Sequence, residues 1–210
     1  MKLPRKNIER SLFKKGIKYI AGVDEAGRGP LAGPVVAVAF LVSEKFIKNN
    51  NKFLKGVKDS KMLSEKQRES LFKILKKSQG TEFKVSFCMP KTIDRINILR
   101  ANELAMKRSI NKLSKKPGAV LVDGNRKIGR LNIKQQTFIR GDQNIFSIAC
   151  ASIIAKVTRD RMMVKYARKF PEYKFEIHKG YGTKLHRELL KKNGPCPIHR
   201  KSFAPVAELL

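Results

Sequence analysis

Strand-like apolar segments recur along this chain, separated by stretches with the period of helices. The predicted strands are Tyr19–Val23, Val35–Leu41, Glu82–Met89, Ala119–Val122 and about Ile133–Ile139. Apolar and polar residues alternate in the third segment, which predicts a half-buried strand with Phe83, Val85 and Phe87 on one face. The fourth is short and continuously apolar, as in strands buried on both faces. Five such segments are enough for a central sheet.

The helical stretches fall between and after these strands. The pattern predicts a short basic helix at 5–15, a helix capped by Ser64 and Gln67 that ends near Gly80, and a longer helix from Thr92 to about Leu113. The later helices are predicted at Ile145–Val157 with a basic continuation to Lys169, and from Gly180–Thr183 through about Lys192. The Lys- and Asn-rich connector Ser43–Lys58 is expected to be a loop. Alternating strands and helices predict one α/β domain at 17–210, with a helical C-terminal part and a short N-terminal helix at 1–16.

Composition narrows the class of protein. The chain has 210 residues, 41% of them hydrophobic, and no apolar run of the roughly 18 residues that a membrane span needs. Three cysteines without paired spacing, Cys88, Cys150 and Cys196, suggest reduced thiols and a cytoplasmic location. The net charge of +30 favours a polyanionic partner, most simply nucleic acid. A genome rich in A and T would also raise the lysine count, so the charge supports this partner without establishing it.

Acidic residues follow three of the predicted strands. Asp24 and Glu25 come after the first strand, Asp123 after the fourth and Asp142 shortly after the fifth. If these strands are parallel neighbours, their carboxyl ends meet at one edge of the sheet, where sites form in open α/β folds. Four carboxylates in one patch repel each other unless cations offset their charge. The pattern predicts a site for one or two divalent metal ions beside the turn at 27–30. The alternative is that the acids only cap turns, since Asp-Gly is a common turn.

The run Ala21-Gly-Val-Asp-Glu-Ala-Gly-Arg-Gly-Pro-Leu-Ala-Gly-Pro-Val35 resembles the signature of ribonuclease HII, the bacterial type 2 ribonuclease H. Further motifs of that family follow in order over roughly 17–206. They are Asp59-Ser-Lys-Met-Leu-Ser64, Asp94-Arg-Ile-Asn-Ile-Leu99, Val122-Asp-Gly-Asn125, Gly141-Asp142, Ala151–Asp160, His178–Thr183 and His199–Val206. Chance agreement of so many motifs in order is very improbable.

The resemblance implies a ribonuclease H-like fold with a mixed central sheet flanked by helices. It implies an endonuclease that hydrolyses the RNA strand of RNA–DNA hybrids and nicks 5′ to ribonucleotides embedded in duplex DNA, leaving 5′-phosphate and 3′-hydroxyl ends. By match of motif, the catalytic carboxylates that bind Mg²⁺ or Mn²⁺ are Asp24, Glu25, Asp123 and Asp142. The substrate-binding residues by the same match are Gly27, Arg28 and Gly29 near the 2′-hydroxyl and adjacent phosphate, Lys61 near the nucleic-acid backbone and Tyr181 against a sugar.

Other functions are less favoured by the sequence. A ribonuclease HIII-like enzyme shares the core, but that family carries an N-terminal substrate-binding domain that sixteen residues before the first strand are too short to supply. A catalytically silent nucleic-acid-binding protein is disfavoured because all four acids are present. A zinc site from His178, His186, His199 and Cys196 is disfavoured because Cys-Pro-Ile-His has no matching second pair. The expected partners are RNA–DNA hybrid and ribonucleotide-containing DNA, with no membrane, no inferable protein partner and a monomer as the default.

Overall fold

The computed structural model describes residues 3–48, 56–57 and 59–210, and it centres on one mixed sheet. The strands are β1 (Tyr19–Ala26), β2 (Val35–Ser43), β3 (Thr81–Cys88), β4 (Ala119–Asp123) and β5 (Lys134–Phe138), in the spatial order β3-β2-β1-β4-β5. Neighbours β1, β2 and β3 pair antiparallel, whereas β1, β4 and β5 are parallel. The parallel half brings the carboxyl ends of three strands to one edge, as the sequence predicts.

Helices cover both faces of the sheet. They are α1 (Asn7–Lys14), α2 (Glu44–Lys48), α3 (Glu65–Lys77), α4 (Pro90–Asn111), α5 (Gly141–Asn144), α6 (Phe146–Lys169), α7 (Phe175–His178), α8 (Lys184–Asn193) and α9 (Ala204–Ala207). Short 3₁₀ turns occupy Ser60–Met62 and Pro171–Tyr173. Among the described residues, none of the helices has the length and apolar character to cross a membrane.

The two faces of the sheet carry separate cores because side chains alternate along each strand. Ile20, Phe40 and Leu121 lie on the side of α6, while Val23 and Val122 lie on the side of α4. Helix α6 lies close to β1 at Gly22: a Cβ there would be 2.3 Å from the carbonyl carbon of Ser147. Only glycine permits this approach, which brings α6 against the strand that carries Asp24.

Most of the predicted elements are found, and the α/β fold class with its mixed, helix-flanked sheet is confirmed. The capping box of α3 is present: Gln67 N–H donates to Ser64 Oγ at 3.3 Å, and Ser64 N–H donates to Gln67 Oε1 at 2.9 Å. The predicted core helix and its basic continuation form one helix, α6. The predicted boundary between an N-terminal helix at 1–16 and the domain at 17–210 stays a prediction.

One expectation is wrong, and two predicted elements have features that the sequence pattern does not indicate. The connector after β2 begins with a helix, α2, because Phe46 and Ile47 are buried against the core; residues 49–55 and 58 of this connector lie outside the described residues. Phe87 is 45% exposed, since it lies near the end of the edge strand β3. Helix α4 is kinked at Asn97, whose φ of 62° is rare for a residue with a side chain.

Candidate active site and nucleic-acid interface

Asp24 and Asp123 lie side by side on neighbouring parallel strands. Val23 pairs in register with Val122, so the next residue of each strand is one of these acids. Both acids lie on the face that α6 covers, because they alternate with residues of the opposite core. Asp24 is buried and Asp123 is half-buried. The parallel register therefore brings two carboxylates from distant parts of the chain together.

Asp142 reaches the same edge from the segment after β5. It lies in the short helix α5 and is buried. The link to Asp123 is direct, since Gly141 N–H donates to Asp123 Oδ1 at 2.6 Å. Arg140, in the left-handed conformation (φ 55°), turns the chain from β5 into α5. Three of the four predicted acids thus meet on the α6 side of the sheet.

Glu25 points to the other face. Strand β1 extends to Ala26, so both Asp24 and Glu25 lie within it, and strand alternation directs their side chains to opposite sides. Arg28 Nη1 lies 3.5 Å from Glu25 Oε1. The side chains of Asp24 and Glu25 therefore do not lie side by side. The Asp123 carboxylate nevertheless influences the pKa of both acids.

The acids perturb one another. Burial raises the pKa of Asp24 well above its usual value, and the nearby Glu25 and Asp123 carboxylates raise it further. Burial also raises the pKa of Glu25; Arg28 opposes this and Asp123 adds to it. Burial raises the pKa of Asp142, again with a contribution from Asp123. Asp123 is the common neighbour, so these acids form one cluster of unfavourable negative charge.

Lys61 approaches this cluster from the turn before α3. Its Nζ lies 3.8 Å from Asp142 Oδ2. Partial burial lowers the pKa of Lys61, but the carboxylates of Asp142, Asp59, Asp24 and Asp123 outweigh this, and the net pKa is raised. The Lys61 side chain remains 80% exposed, so it is available to a ligand as well as to the acids.

Asp59 is a fifth acid here that the sequence analysis did not assign to the site. It is buried, and it accepts hydrogen bonds from Lys61 N–H at 2.9 Å and from Gln143 Nε2 at 3.1 Å. It thereby fixes the turn that carries Lys61 against α5. Its position two residues before Lys61, in a motif already quoted above, was the available signal.

The donor set fits a hard divalent cation. Every side chain of the cluster offers carboxylate oxygens, the ligands that Mg²⁺ and Mn²⁺ prefer. Burial, with a smaller contribution from neighbouring carboxylates, raises the pKa of Asp24, Glu25 and Asp142, and a bound cation would lower these pKa values again. Over residues 3–48, 56–57 and 59–210, no group of three or more His, Cys, Asp or Glu side chains already has the geometry of a metal site. The fit therefore rests on charge and ligand type.

The segment Gly27–Pro34 connects β1 to β2 beside the acids. Arg28 and Gly29 are exposed, while Gly27 is buried with a φ of +97°. A Cβ on Gly27 would lie 2.1 Å from Arg159 Nε, so glycine is required there both by conformation and by space. Glycine at this position therefore lets the Arg159 side chain pack directly against the segment.

Tyr181 lies in a loop that is bound to this segment. Leu31 N–H donates to Gly180 O at 2.9 Å, and Ala32 N–H donates to the same carbonyl at 3.4 Å. Tyr181 is 40% exposed, and Lys156 Nζ and Arg159 Cζ lie 5.6 Å and 5.5 Å from the centroid of its ring. The ring is therefore backed by cations and open to a ligand.

Buried histidines hold the Tyr181 carbonyl. A carbonyl only accepts hydrogen bonds, so His186 Nδ1, at 2.9 Å, carries a proton and donates it to Tyr181 O. His186 Nε2 then accepts from His199 Nε2–H at 3.1 Å, and His199 Nδ1 accepts from Cys196 N–H at 2.9 Å. Burial lowers the pKa of His186 and of His199 to about 4. Both rings are neutral at pH 7, with defined tautomers.

The hydrogen bonds of the histidines also bear on the zinc site that the sequence analysis considered. His178 stacks on His186, with ring centroids 4.2 Å apart, and its Nε2 lies 2.8 Å from Tyr173 O. The ring nitrogens of all three histidines are occupied by hydrogen bonds to the backbone or to each other. In the part of the chain that the structure describes, the histidines and Cys196 do not form a metal site.

A cleft of about 550 Å³ opens on the α4 side of the acids. The charged residues that line it are Glu25, Arg28, Arg100, Glu103, Asp123, Arg126 and Lys127. The strained Asn97 also lines it, and its Oδ1 accepts from Arg100 N–H at 3.1 Å. A backbone outlier in a cleft lined by four cations and three carboxylates is typical of a ligand site.

Comparisons with known proteins agree on the family. The family model for ribonuclease HII matches residues 21–206. A curated ribonuclease HII from Caldicellulosiruptor bescii is 52% identical over 196 residues, which cover 93% of this chain and 91% of the relative. The crystal structure of ribonuclease H2 from Pyrococcus horikoshii OT3 is 31% identical, with a TM-score of 0.73 over 91% of this chain and 96% of that one.

A more distant structure shares the fold alone. The Bst-RNase HIII structure in complex with Mn²⁺ is 17% identical, with a TM-score of 0.71 over 91% of this chain and 69% of that one. The identity and coverage of the ribonuclease HII relatives decide between the two families. The chain belongs to the ribonuclease HII family and is a ribonuclease H, an endonuclease that hydrolyses the RNA strand of RNA–DNA hybrids.

Proposed function

We propose that this ribonuclease also nicks duplex DNA on the 5′ side of a single embedded ribonucleotide, and that both reactions require Mg²⁺ or Mn²⁺. The products would carry 5′-phosphate and 3′-hydroxyl ends. The observation that carries the proposal is the acidic cluster around Asp123, in which burial and neighbouring carboxylates raise the pKa of Asp24, Glu25 and Asp142. Such a cluster in a chain of net charge +30 is best explained by cation binding.

The four predicted acids would hold the metal. When bound, the ion supplies Lewis-acid chemistry that activates water and stabilises the leaving oxygen. Asp24 and Asp123 face α6, and Glu25 faces the cleft beside α4, so the group offers carboxylates on both sides of the strand ends. Asp142 approaches from α5 and is held near Asp123 by the Gly141 hydrogen bond.

Lys61 would contact a phosphate oxygen beside the acids. Its ammonium lies 3.8 Å from Asp142 and is largely exposed, so a phosphate can reach it without displacing a buried pair. The Asp59 carboxylate fixes the Lys61 backbone and thereby the start of its side chain. Lys61 thus would orient the scissile strand and would not take part in proton transfer, because its raised pKa keeps it charged at neutral pH.

The segment at Gly27, Arg28 and Gly29 would recognise the ribose. The backbone at Arg28 and Gly29 is exposed, and Gly29 has no Cβ to shield it, while Gly27 beside them is buried. Backbone N–H groups can donate to the oxygen of a 2′-hydroxyl, the group that distinguishes RNA from DNA at one position. The Arg28 side chain, half-exposed and near Glu25, is placed to contact the adjacent phosphate.

Tyr181 would pack against the neighbouring sugar. Hydrogen bonds from Leu31 and Ala32 to Gly180 bind the Tyr181 loop to the ribose-recognising segment. The loop and the segment would therefore contact two adjacent nucleotides in a fixed relative position. The four cations of the cleft beside α4 would bind the phosphates of the duplex. The protein would act in the cytoplasm as a monomer on hybrid and ribonucleotide-containing duplexes.

End-labelled duplex DNA with one ribonucleotide tests the proposal. The enzyme is incubated with Mg²⁺, with Mn²⁺ or with EDTA, and the cut position is mapped on a sequencing gel beside an all-DNA duplex. We expect one nick, 5′ to the ribonucleotide, with either metal and none with EDTA or on all-DNA. Cleavage in EDTA or a nick on the 3′ side would contradict the proposal. Binding without cleavage would favour the silent binding protein.

A further inference from the structure

Two arginines are fully buried beside the ribose-recognising segment. Arg159 on α6 and Arg200 before α9 are each 0% exposed and are the two largest fully buried side chains. Within the described residues, neither forms a salt bridge with a carboxylate. A buried guanidinium without a carboxylate partner is costly unless its N–H groups find hydrogen-bond acceptors. Each of these arginines donates three hydrogen bonds to backbone carbonyls.

Arg200 binds three carbonyls of the Gly27–Pro34 segment. Its Nη2 donates to Gly27 O at 2.5 Å, its Nη1 to Arg28 O at 2.7 Å and its Nε to Gly33 O at 3.0 Å. In a trans peptide the N–H points away from the C=O, and the described chain contains no cis peptide. Since the Gly27 and Arg28 carbonyls point inward to Arg200, the N–H groups of Arg28 and Gly29 point outward.

Those two N–H groups are free to bind a ligand. Arg28 and Gly29 are exposed, and among the described residues neither N–H donates a hydrogen bond to another protein group. Two neighbouring outward N–H groups form an oxygen-binding pair of fixed direction. Their direction is set by the carbonyls behind them, and so by Arg200.

Arg159 connects this segment to Tyr181. Its Nη2 donates to Ala32 O at 3.1 Å, its Nε to Pro34 O at 3.0 Å and its Nη1 to Lys179 O at 3.0 Å. The Cζ of Arg159 also lies 5.5 Å from the centroid of the Tyr181 ring. One guanidinium thus touches the segment, the Tyr181 loop and the Tyr181 ring.

We propose that Arg159 and Arg200 are positioning residues for ribonucleotide recognition, which hold the Arg28 and Gly29 N–H groups toward the 2′-hydroxyl and fix the segment relative to Tyr181. The inference rests on the proposed function. Neither arginine touches the substrate; both act through the backbone. The planar five-donor fork of arginine suits this role, and the point charge of lysine does not reproduce it.

The test is the preference of the protein for a ribonucleotide in binding. An Asp24→Asn background prevents cleavage, and the Kd is measured for an all-DNA duplex and for the same duplex with one ribonucleotide. The variants are Arg200→Lys and Arg159→Lys, with Arg200→Met and Arg159→Met as uncharged replacements of similar length, and circular dichroism checks that each variant is folded. Ile154→Val, a buried change elsewhere on α6, is the control for lost stability.

We expect the arginine variants to lower the ratio of the two Kd values about tenfold, the effect of losing roughly one hydrogen bond, with the all-DNA Kd unchanged. The methionine variants should lose more of the ratio than the lysine variants, and Ile154→Val should lose none. Folded methionine variants that keep the parent ratio, or that weaken both duplexes equally, would overturn the inference. A parent protein that binds both duplexes equally would instead refute the proposed function.

Discussion

Asp123 Oδ1 accepts a hydrogen bond of 2.6 Å from Gly141 N–H, which joins the end of β4 to the short helix α5. The bond orients one Asp123 oxygen and leaves the other for a cation. It also brings the carboxylates of Asp123 and Asp142 close enough that Asp123 contributes to the raised pKa of Asp142. One backbone contact thus assembles the acids of two strand ends.

Asp123→Asn should therefore stabilise the metal-free protein while removing metal binding. The amide keeps an oxygen for Gly141 N–H and removes the charge that raises the pKa of three neighbouring acids. We expect an equal or higher Tm in EDTA, and a smaller rise of Tm on adding Mn²⁺ than in the wild type. The measurement is thermal unfolding followed by circular dichroism. A lower Tm in EDTA with a wild-type response to Mn²⁺ would contradict the cluster.

Duplex binding should weaken steeply with salt. The lysines and arginines of the surface and cleft neutralise phosphates, and each phosphate contributes about −0.9 to the slope of log K against log salt concentration. We expect the same slope for all-DNA and for DNA with one ribonucleotide, because backbone contacts do not detect a 2′-hydroxyl. Fluorescence anisotropy in EDTA measures both. Different slopes would mean that ribonucleotide recognition adds phosphate contacts.

The sheet could be predicted from sequence because its strands are dense in apolar and β-branched residues bounded by turns. The meeting of Asp24, Asp123 and Asp142 followed from strand direction alone. The orientation of Glu25 did not, since the predicted first strand ended at Val23, and only its extension to Ala26 shows that Glu25 faces away from Asp24. Helix α2 was missed because burial of Phe46 and Ile47 outweighs the loop-forming composition around them.

The roles of Arg159 and Arg200 were beyond prediction from a single sequence. Their partners are backbone carbonyls, which carry no residue identity, and the bonds to the Gly27–Pro34 segment join residues 125 to 173 positions apart. The histidines were noticed as residues, but their use as a neutral hydrogen-bonded chain depends on three separate segments packing together. Contacts of this kind are set by the tertiary fold.

Tyr181→Ala should lower cleavage at an embedded ribonucleotide more than cleavage of a hybrid. Only a junction places a deoxyribose beside the ribonucleotide, and loss of the aromatic platform costs about 1–3 kcal/mol by analogy with base stacking. Tyr181→Phe keeps the ring over Lys156 and Arg159 and should lose little. The measurement is kcat/KM on the two substrates. An equal loss on both would place junction sensing in the Gly27–Gly29 segment.

Mild acid should loosen the loop that carries Tyr181. The pKa of His186 and of His199 is lowered by burial to about 4, so between pH 6.5 and 4 the unfolded chain binds protons that the folded chain excludes. The contribution of these histidines to the free energy of unfolding is therefore complete above pH 6.5. It falls as the pH decreases to about 4, and below pH 4 the two histidines cause no further loss. Each histidine would contribute a loss of about 2 kcal/mol at pH 5.

A matched variant isolates the histidine effect from that of the acids. His199→Gln retains a side-chain donor near His186 and removes one titrating ring. We expect the free energy of unfolding, measured in urea at pH 8 and pH 5, to fall less on acidification in this variant than in the wild type. Equal losses in the two proteins would show that His199 is not kept neutral by the fold.

The most direct test of the central claim is single-turnover cleavage of a duplex with one ribonucleotide by the wild type and by Asp24→Asn, in Mg²⁺ and in Mn²⁺. Loss of one outer contact of a metal site costs about 10–100-fold, so loss of a ligand should cost more than about 100-fold. We expect that drop in rate with either metal while the Kd for the duplex stays near its wild-type value, because basic residues supply most of the binding. An Asp24→Asn protein that cleaves at a near-normal rate would contradict the assignment of this acidic cluster as the catalytic metal site.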